Sequence, residues 1–205
     1  MKICGADVTL GNRTNNILET FKVIEQGALE LNELVSIAEN WAAEGRKDDL
    51  PKLYQTWIDH TSSPLSYIAY YNYATILHEA KNFSQAEVLY RKALEHNPKF
   101  IEAHINLGTC LIQQHRVDEA LEKWRETLNI PEIRLPAKKV LQLKLLNDLG
   151  LQLETTGHFY EALLKFSASF TIDPSQLDII NNLAFLRQKM CIWPVIQPPL
   201  SLIHI

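Results

Sequence analysis

Apolar residues recur at helical spacing along most of the chain, and three stretches carry one rhythm. "NFSQAEVLYRKALEHNP" (Asn82 to Pro98), "RVDEALEKWRETLNIP" (Arg116 to Pro131) and "HFYEALLKFSASFTIDP" (His158 to Pro174) each predict an amphipathic helix closed by a proline. A different helical pattern precedes each: "YYNYATILHEAK", "HINLGTCLIQQH" and "LLNDLGLQLETTG". The chain therefore predicts pairs of helices, written repeatedly, and an all-α fold.

The spacing fixes the register. Ala86 and Pro98 stand twelve residues apart, as do Ala162 and Pro174. Ala86 and Ala120 are separated by 34 residues, the period of a helix-turn-helix solenoid unit, whereas Ala120 and Ala162 are separated by 42. The eight extra residues fall in "PEIRLPAKKVLQ", where Pro131 and Pro136 interrupt the pattern and Pro136 is expected to open a longer helix. In the first helix of each pair a small residue, Ala74, Gly108 or Gly150, holds one place. Glycine inside a helix costs about 1 kcal/mol relative to alanine, so its use twice here points to a close helix contact. In the second helix Ala86, Ala120 and Ala162 are followed one turn later by Tyr90, Trp124 and Phe166, a small residue beside a knob. Ser84 and Glu87 are spaced as a capping box, and Pro98 and Pro174 close their units.

These residues resemble the tetratricopeptide repeat family, whose signature reads W-x2-L-G-x2-Y, then A-x3-F, then P. On that register the first repeat spans residues 67 to 100, with Tyr70, Tyr73, Ala74, Leu77, Ala86, Tyr90, Ala93 and Pro98 on the motif. The second spans 101 to 134, departing at Thr127 and with its proline one residue early; the third lies within 135 to 176, with a lengthened first helix and with Ser169 in place of a small apolar residue. A degenerate pair without its alanine occupies 31 to 64, after an N-terminal helical extension over 1 to 30. Residues 177 to 190 read as a capping helix, and 191 to 205 as a proline-rich tail. The resemblance implies a right-handed α-solenoid in which each pair buries its apolar face against its neighbours.

The resemblance also implies a groove lined by the first helix of each pair. Asn72, Asn106, Asp148 and Asn182 share one place in the register and are expected to stand in a row. A carboxamide presents a donor and an acceptor, so such a row could grip the backbone of an extended peptide; the alternative is that each only bonds a neighbouring helix. Tyr71, Thr75, Thr109 and Gln113 are the expected neighbouring contacts. The carboxylate clamp of chaperone-binding repeats is not matched, since Tyr71 and Thr75 hold its first two places and Asp148 stands where a base belongs. At the far end, "LRQKMCIWPVIQPP" looks like the junction between repeats and catalytic region in bacterial O-GlcNAc transferase (SPINDLY-like) glycosyltransferases. That likeness implies a substrate-recruiting arm whose catalytic region is missing here.

Composition narrows the remaining classes. Twenty Lys plus Arg against twenty-four Asp plus Glu offer no basic excess for a phosphate backbone, so no nucleic-acid partner is expected. No long apolar run and no signal peptide are seen, and a cytoplasmic protein without membrane contact is expected. Cys4, Cys110 and Cys191 form no CxxC pair, the seven histidines no HExxH, and phosphate-cradling glycine loops and a GxSxG elbow are missing. No cofactor, metal or catalytic residue is expected. Glu119, Glu122 and Glu126 read as a solvated stripe, and Arg134, Lys138, Lys139 and Lys144 form the one local basic patch. Two readings stand: an interaction scaffold binding a protein or extended peptide, and the glycosyltransferase arm. Weak self-association through the ends of the array is a third expectation.

Overall fold

The computed structural model describes residues 17–192, and the described residues are helical with no strand among them. They divide into two compact units, with the boundary between Gln114 and His115. The first contains α1 (Ile17–Glu25), α2 (Leu31–Ala43), α3 (Leu50–His60), α4 (Ser66–Glu79), α5 (Phe83–His96) and α6 (Ile101–Gln113). The second contains α7 (Val117–Leu128), two 3-10 turns (Pro131–Arg134 and Pro136–Lys138), α8 (Lys139–Thr155), α9 (Phe159–Ile172) and α10 (Leu177–Lys189). The segments "GNRTNN" and "WPVIQPP" lie outside the described residues.

Helices α2, α4, α8 and α10 end in one turn. A residue with positive φ follows each of them: Gly45 at 80°, Lys81 at 61°, Gly157 at 83° and Cys191 at 56°. The next backbone N–H then returns five residues, Arg46 to the Trp41 carbonyl, Asn82 to Leu77, His158 to Leu153 and Ile192 to Arg187, each at 2.8 Å. This left-handed closure satisfies carbonyls that the helix end would otherwise leave open. It reverses α4 onto α5 and α8 onto α9, which pack along one another.

In the first unit the core is built on Trp41 and Trp57, both fully buried, with Leu34 and Leu53. The Trp57 indole N–H donates to the Leu29 carbonyl at 2.8 Å, so the ring is buried without stranding its donor. Ala74, Ala86 and Tyr90 have no exposed surface. In the second unit the small-beside-large pattern has a direct cause: a Cβ at Gly150 would lie 2.7 Å from Cε1 of Phe166, itself fully buried. The two departures from the small-residue pattern are accommodated by hydroxyl chemistry. Thr127 and Ser169 are fully buried; Thr127 Oγ1 donates to the Lys123 carbonyl at 2.7 Å, and Ser169 Oγ accepts from Gln176 Nε2 at 3.1 Å.

Two local expectations are corrected. Ser84 and Glu87 do not form a capping box. Helix α5 already begins at Phe83, which places Ser84 inside the first turn, and Glu87 is engaged by Arg91 and by Gln114 Nε2 at 2.8 Å. Pro136 opens a 3-10 turn rather than α8 itself. The Lys138 N–H bonds the Leu135 carbonyl at 2.8 Å, and the α-helix starts at Lys139. The extra residues before α8 thus sit in two tight turns, anchored by the fully buried Ile133, and lead into the 17-residue α8.

Candidate peptide-binding cleft

In the first unit, α2, the start of α3 and α4 converge around an open cleft of about 280 Å³. Three expected groove residues, Tyr71, Asn72 and Thr75, line it from one face of α4. They do so because residues one, three and four apart on this helix share the side opposite Ala74 and Leu77, which are buried. Tyr54 from α3, Glu39 from α2, Lys47 from the turn between those helices and Glu79 from the end of α4 complete the polar lining; Ile76 and Leu50 supply apolar wall.

Hydrogen bonds hold the lining in place. Asn72 Nδ2 donates to the Tyr54 hydroxyl at 3.4 Å, and Asn106 Nδ2 donates to the Tyr71 hydroxyl at 3.1 Å. Thr75 Oγ1 donates to the Tyr71 carbonyl at 3.0 Å and lies 3.4 Å from the Tyr90 hydroxyl. The Tyr71 ring rests on Phe100 with centroids 4.9 Å apart, and on Tyr90 at 5.9 Å. Among the described residues the amide oxygens of Asn72 and Asn106 accept no hydrogen bond, so each spends its donor on a tyrosine and keeps its acceptor available.

Burial pushes the Tyr54 phenol above its ordinary value; the bond from Asn72 opposes this, and the charge of Glu39 adds to it. The Tyr71 phenol is raised by burial and then by the charge of Glu102, against the bonds from Thr75 and Asn106. Tyr90 is pushed up to about 12, chiefly by burial, with Thr75 pulling the other way and Tyr71 adding to the rise. All three therefore act as neutral hydroxyls near neutral pH.

The remaining expected residues lie elsewhere. Thr109 donates to its own helix at the Ile105 carbonyl, 3.2 Å away, and Gln113 is exposed at the end of α6. Neither lines the cleft. In the second unit Asp148 accepts from Lys144 on the same helix at 3.0 Å, and Asn182 is half-buried on α10. The residue beside Asp148 makes the longer reach: Asn147 Nδ2 donates to Gln176 Oε1 at 2.8 Å.

Glu39 and Glu79 line the cleft and were not among the expected residues. The signal was present. Glu39 follows Ala38 as Thr75 follows Ala74 and Thr109 follows Gly108, and Glu79 stands 34 residues before Gln113. Carrying the expected register back one repeat, from Gln113 into the first repeat and from Thr75 into the degenerate pair, would have named both. Among the described residues no group of three or more His, Cys, Asp or Glu is arranged to hold a metal ion, and no helix is long and apolar enough to cross a membrane.

Residues 67–122 match a family model described as tetratricopeptide repeat. Among solved structures the chain resembles YrrB, described as a tetratricopeptide repeat protein with an unusual peptide-binding site, with a TM-score of 0.64 at 18% identity over 86% of each chain. It also resembles MamA from Desulfovibrio magneticus RS-1, with a TM-score of 0.62 at 14% identity over 78% of this chain and 84% of that one. A third likeness is to BtubC from P. vanneervenii, with a TM-score of 0.67 at 15% identity over 94% and 87% of the two chains. No curated protein matches significantly. The fold is that of the tetratricopeptide repeat, an all-α solenoid class, as the sequence pattern predicts.

Proposed function

We propose that this chain is a non-catalytic interaction scaffold that binds an extended peptide or protein segment along the first helices of its repeats. The observation that carries this reading is the open cleft beside α4, where Tyr71, Asn72 and Thr75 come together and the Asn72 amide oxygen has no donor among the described residues. A peptide N–H is a suitable donor for that oxygen, because it comes already oriented along an extended backbone. The peptide-binding site in the description of YrrB, a structure of the same fold, lends the reading support. In this proposal Asn106, Thr109 and Gln113 extend the contact along α6, and Asp148 and Asn182 serve as contacts on the second unit. The repeat boundaries at 31–64, 67–100, 101–134 and 135–176, with 177–190 as a cap, belong to the same proposal.

The test is selection of dodecamer peptides on the full chain from a random displayed library, followed by fluorescence anisotropy with Asn72→Ala. If the amide oxygen holds peptide backbone, the variant binds the selected peptides on the order of tenfold more weakly, with its circular dichroism unchanged. Equal binding by the two proteins would place the contact elsewhere. The glycosyltransferase-arm reading rests on the junction that runs into Trp193, outside the described residues, and no observation favours it.

A further inference from the structure

The cleft beside α4 has an imbalance of charge that the scaffold reading does not use. Its charged lining consists of Glu39, Lys47 and Glu79, all exposed, and none of them forms an ion pair among the described residues. Two carboxylates against one ammonium leave the wall negative. From α6, Glu102 adds to the same field, which is felt at the Tyr71 phenol as that of Glu39 is felt at Tyr54. The remaining polar groups that line the cleft carry no charge: the Tyr54, Tyr71 and Thr75 hydroxyls and the Asn72 carboxamide.

Resting on the proposal that this face binds peptide, we infer that the cleft takes the side chain of a Lys or Arg residue in that peptide. The cationic head lies at the Glu39 and Glu79 carboxylates, and the stem lies against Tyr71 and Ile76. The chemistry selects this occupant over the others. A phosphate or an acidic side chain would meet two like charges. A purely apolar anchor would suit the apolar wall but would leave both exposed carboxylates without a counter-charge. A long basic side chain supplies both an apolar stem and a charged end, and guanidinium pairs with carboxylate through two parallel hydrogen bonds. A cavity of about 280 Å³ also suits one long side chain better than a drug-sized ligand. Lys47 opposes the occupant, which gives the inference a handle of the opposite sign.

The test uses the full chain and three pools of fluorescein-labelled dodecamers, random except for a central Arg, Gln or Glu. The Arg pool is expected to bind roughly tenfold more tightly than the Gln pool, and the Glu pool more weakly than either. In the double variant Glu39→Gln with Glu79→Gln the Arg preference should fall to within about twofold, while Lys47→Gln should raise it by about two- to threefold. Both glutamates are exposed, so the variants keep the fold, which circular dichroism verifies. If all pools bind equally, or if the Arg preference survives in the double variant, the inference is overturned while peptide binding stands. If no pool binds, peptide binding on this face falls, and the inference with it.

Discussion

The same place in the register is used differently in the two units. In the first, Asn72 and Asn106 each extend their amide to a tyrosine hydroxyl on an earlier helix, Tyr54 and Tyr71. In the second, Asp148 is held by Lys144 of its own helix, and the neighbouring Asn147 makes the longer reach to Gln176. The first unit also relies on a tyrosine cluster, whereas the second sets a glycine against a phenylalanine ring. A row of asparagines in sequence is therefore not one device in space. A tyrosine hydroxyl on the preceding pair turns the amide into a tie between helices; at Asp148 the place is held instead by an acid bound within its own helix.

The largest expected effect falls on the second unit. Gly150→Val would push a branched side chain into a ring with no exposed surface, and it should lower stability by about 2–4 kcal/mol in urea unfolding followed by circular dichroism. Adding Phe166→Leu should recover part of the loss, because the ring is the clashing group.

The next effect falls on the first unit. Asn106→Ala and Tyr71→Phe should each cost about 1 kcal/mol and be strongly non-additive in a double-mutant cycle, because they remove the two ends of one hydrogen bond. Asp148→Ala in the second unit should cost less than about 0.5 kcal/mol, since it breaks only an exposed pair within one helix.

The units should also respond to opposite ends of the pH scale. In the second, Arg125 donates two hydrogen bonds to Glu161, at 2.9 and 2.7 Å, and this holds the Glu161 carboxyl below its ordinary value. Its folded pKa is lowered, so its contribution is present above the unfolded pKa and is lost as pH falls through the folded one. In the first, the Tyr90 phenol is raised from 10.0 to about 12, so its contribution is complete below pH 10 and is lost as pH rises toward 12. Thermal unfolding across both ranges should show acid loss diminished by Arg125→Ala and alkaline loss diminished by Tyr90→Phe.

The smallest effect concerns the turns. Gly157 already suits its left-handed turn, while Lys81 carries a Cβ in the same conformation. Lys81→Gly should raise stability by roughly 0.5 kcal/mol, read as a small increase in melting temperature.

Much of this fold was legible because its signals are local and repeated. The interval between Ala86 and Ala120 and the glycine at 150 each report a packing constraint that recurs from pair to pair. Ser84 and Glu87 misled because their spacing matches a cap while the helix starts earlier, at Phe83, and leaves Glu87 to Arg91 and Gln114. At the candidate site, Tyr71, Asn72 and Thr75 were legible from register alone. Their bonds to Tyr54 and Tyr90 were not, because a hydroxyl 15 or 18 residues distant leaves no periodic trace. Glu39 escaped notice because its pair is degenerate, although the register placed it beside Ala38.

The central claim, that the α4 face of the first unit is a binding surface, is tested most directly by hydrogen–deuterium exchange of the full chain with and without a selected dodecamer. The account predicts slowed exchange over residues 38–54 and 71–79, with little change in α9. Protection confined to the second unit, or unchanged exchange over 38–54 and 71–79, would contradict it.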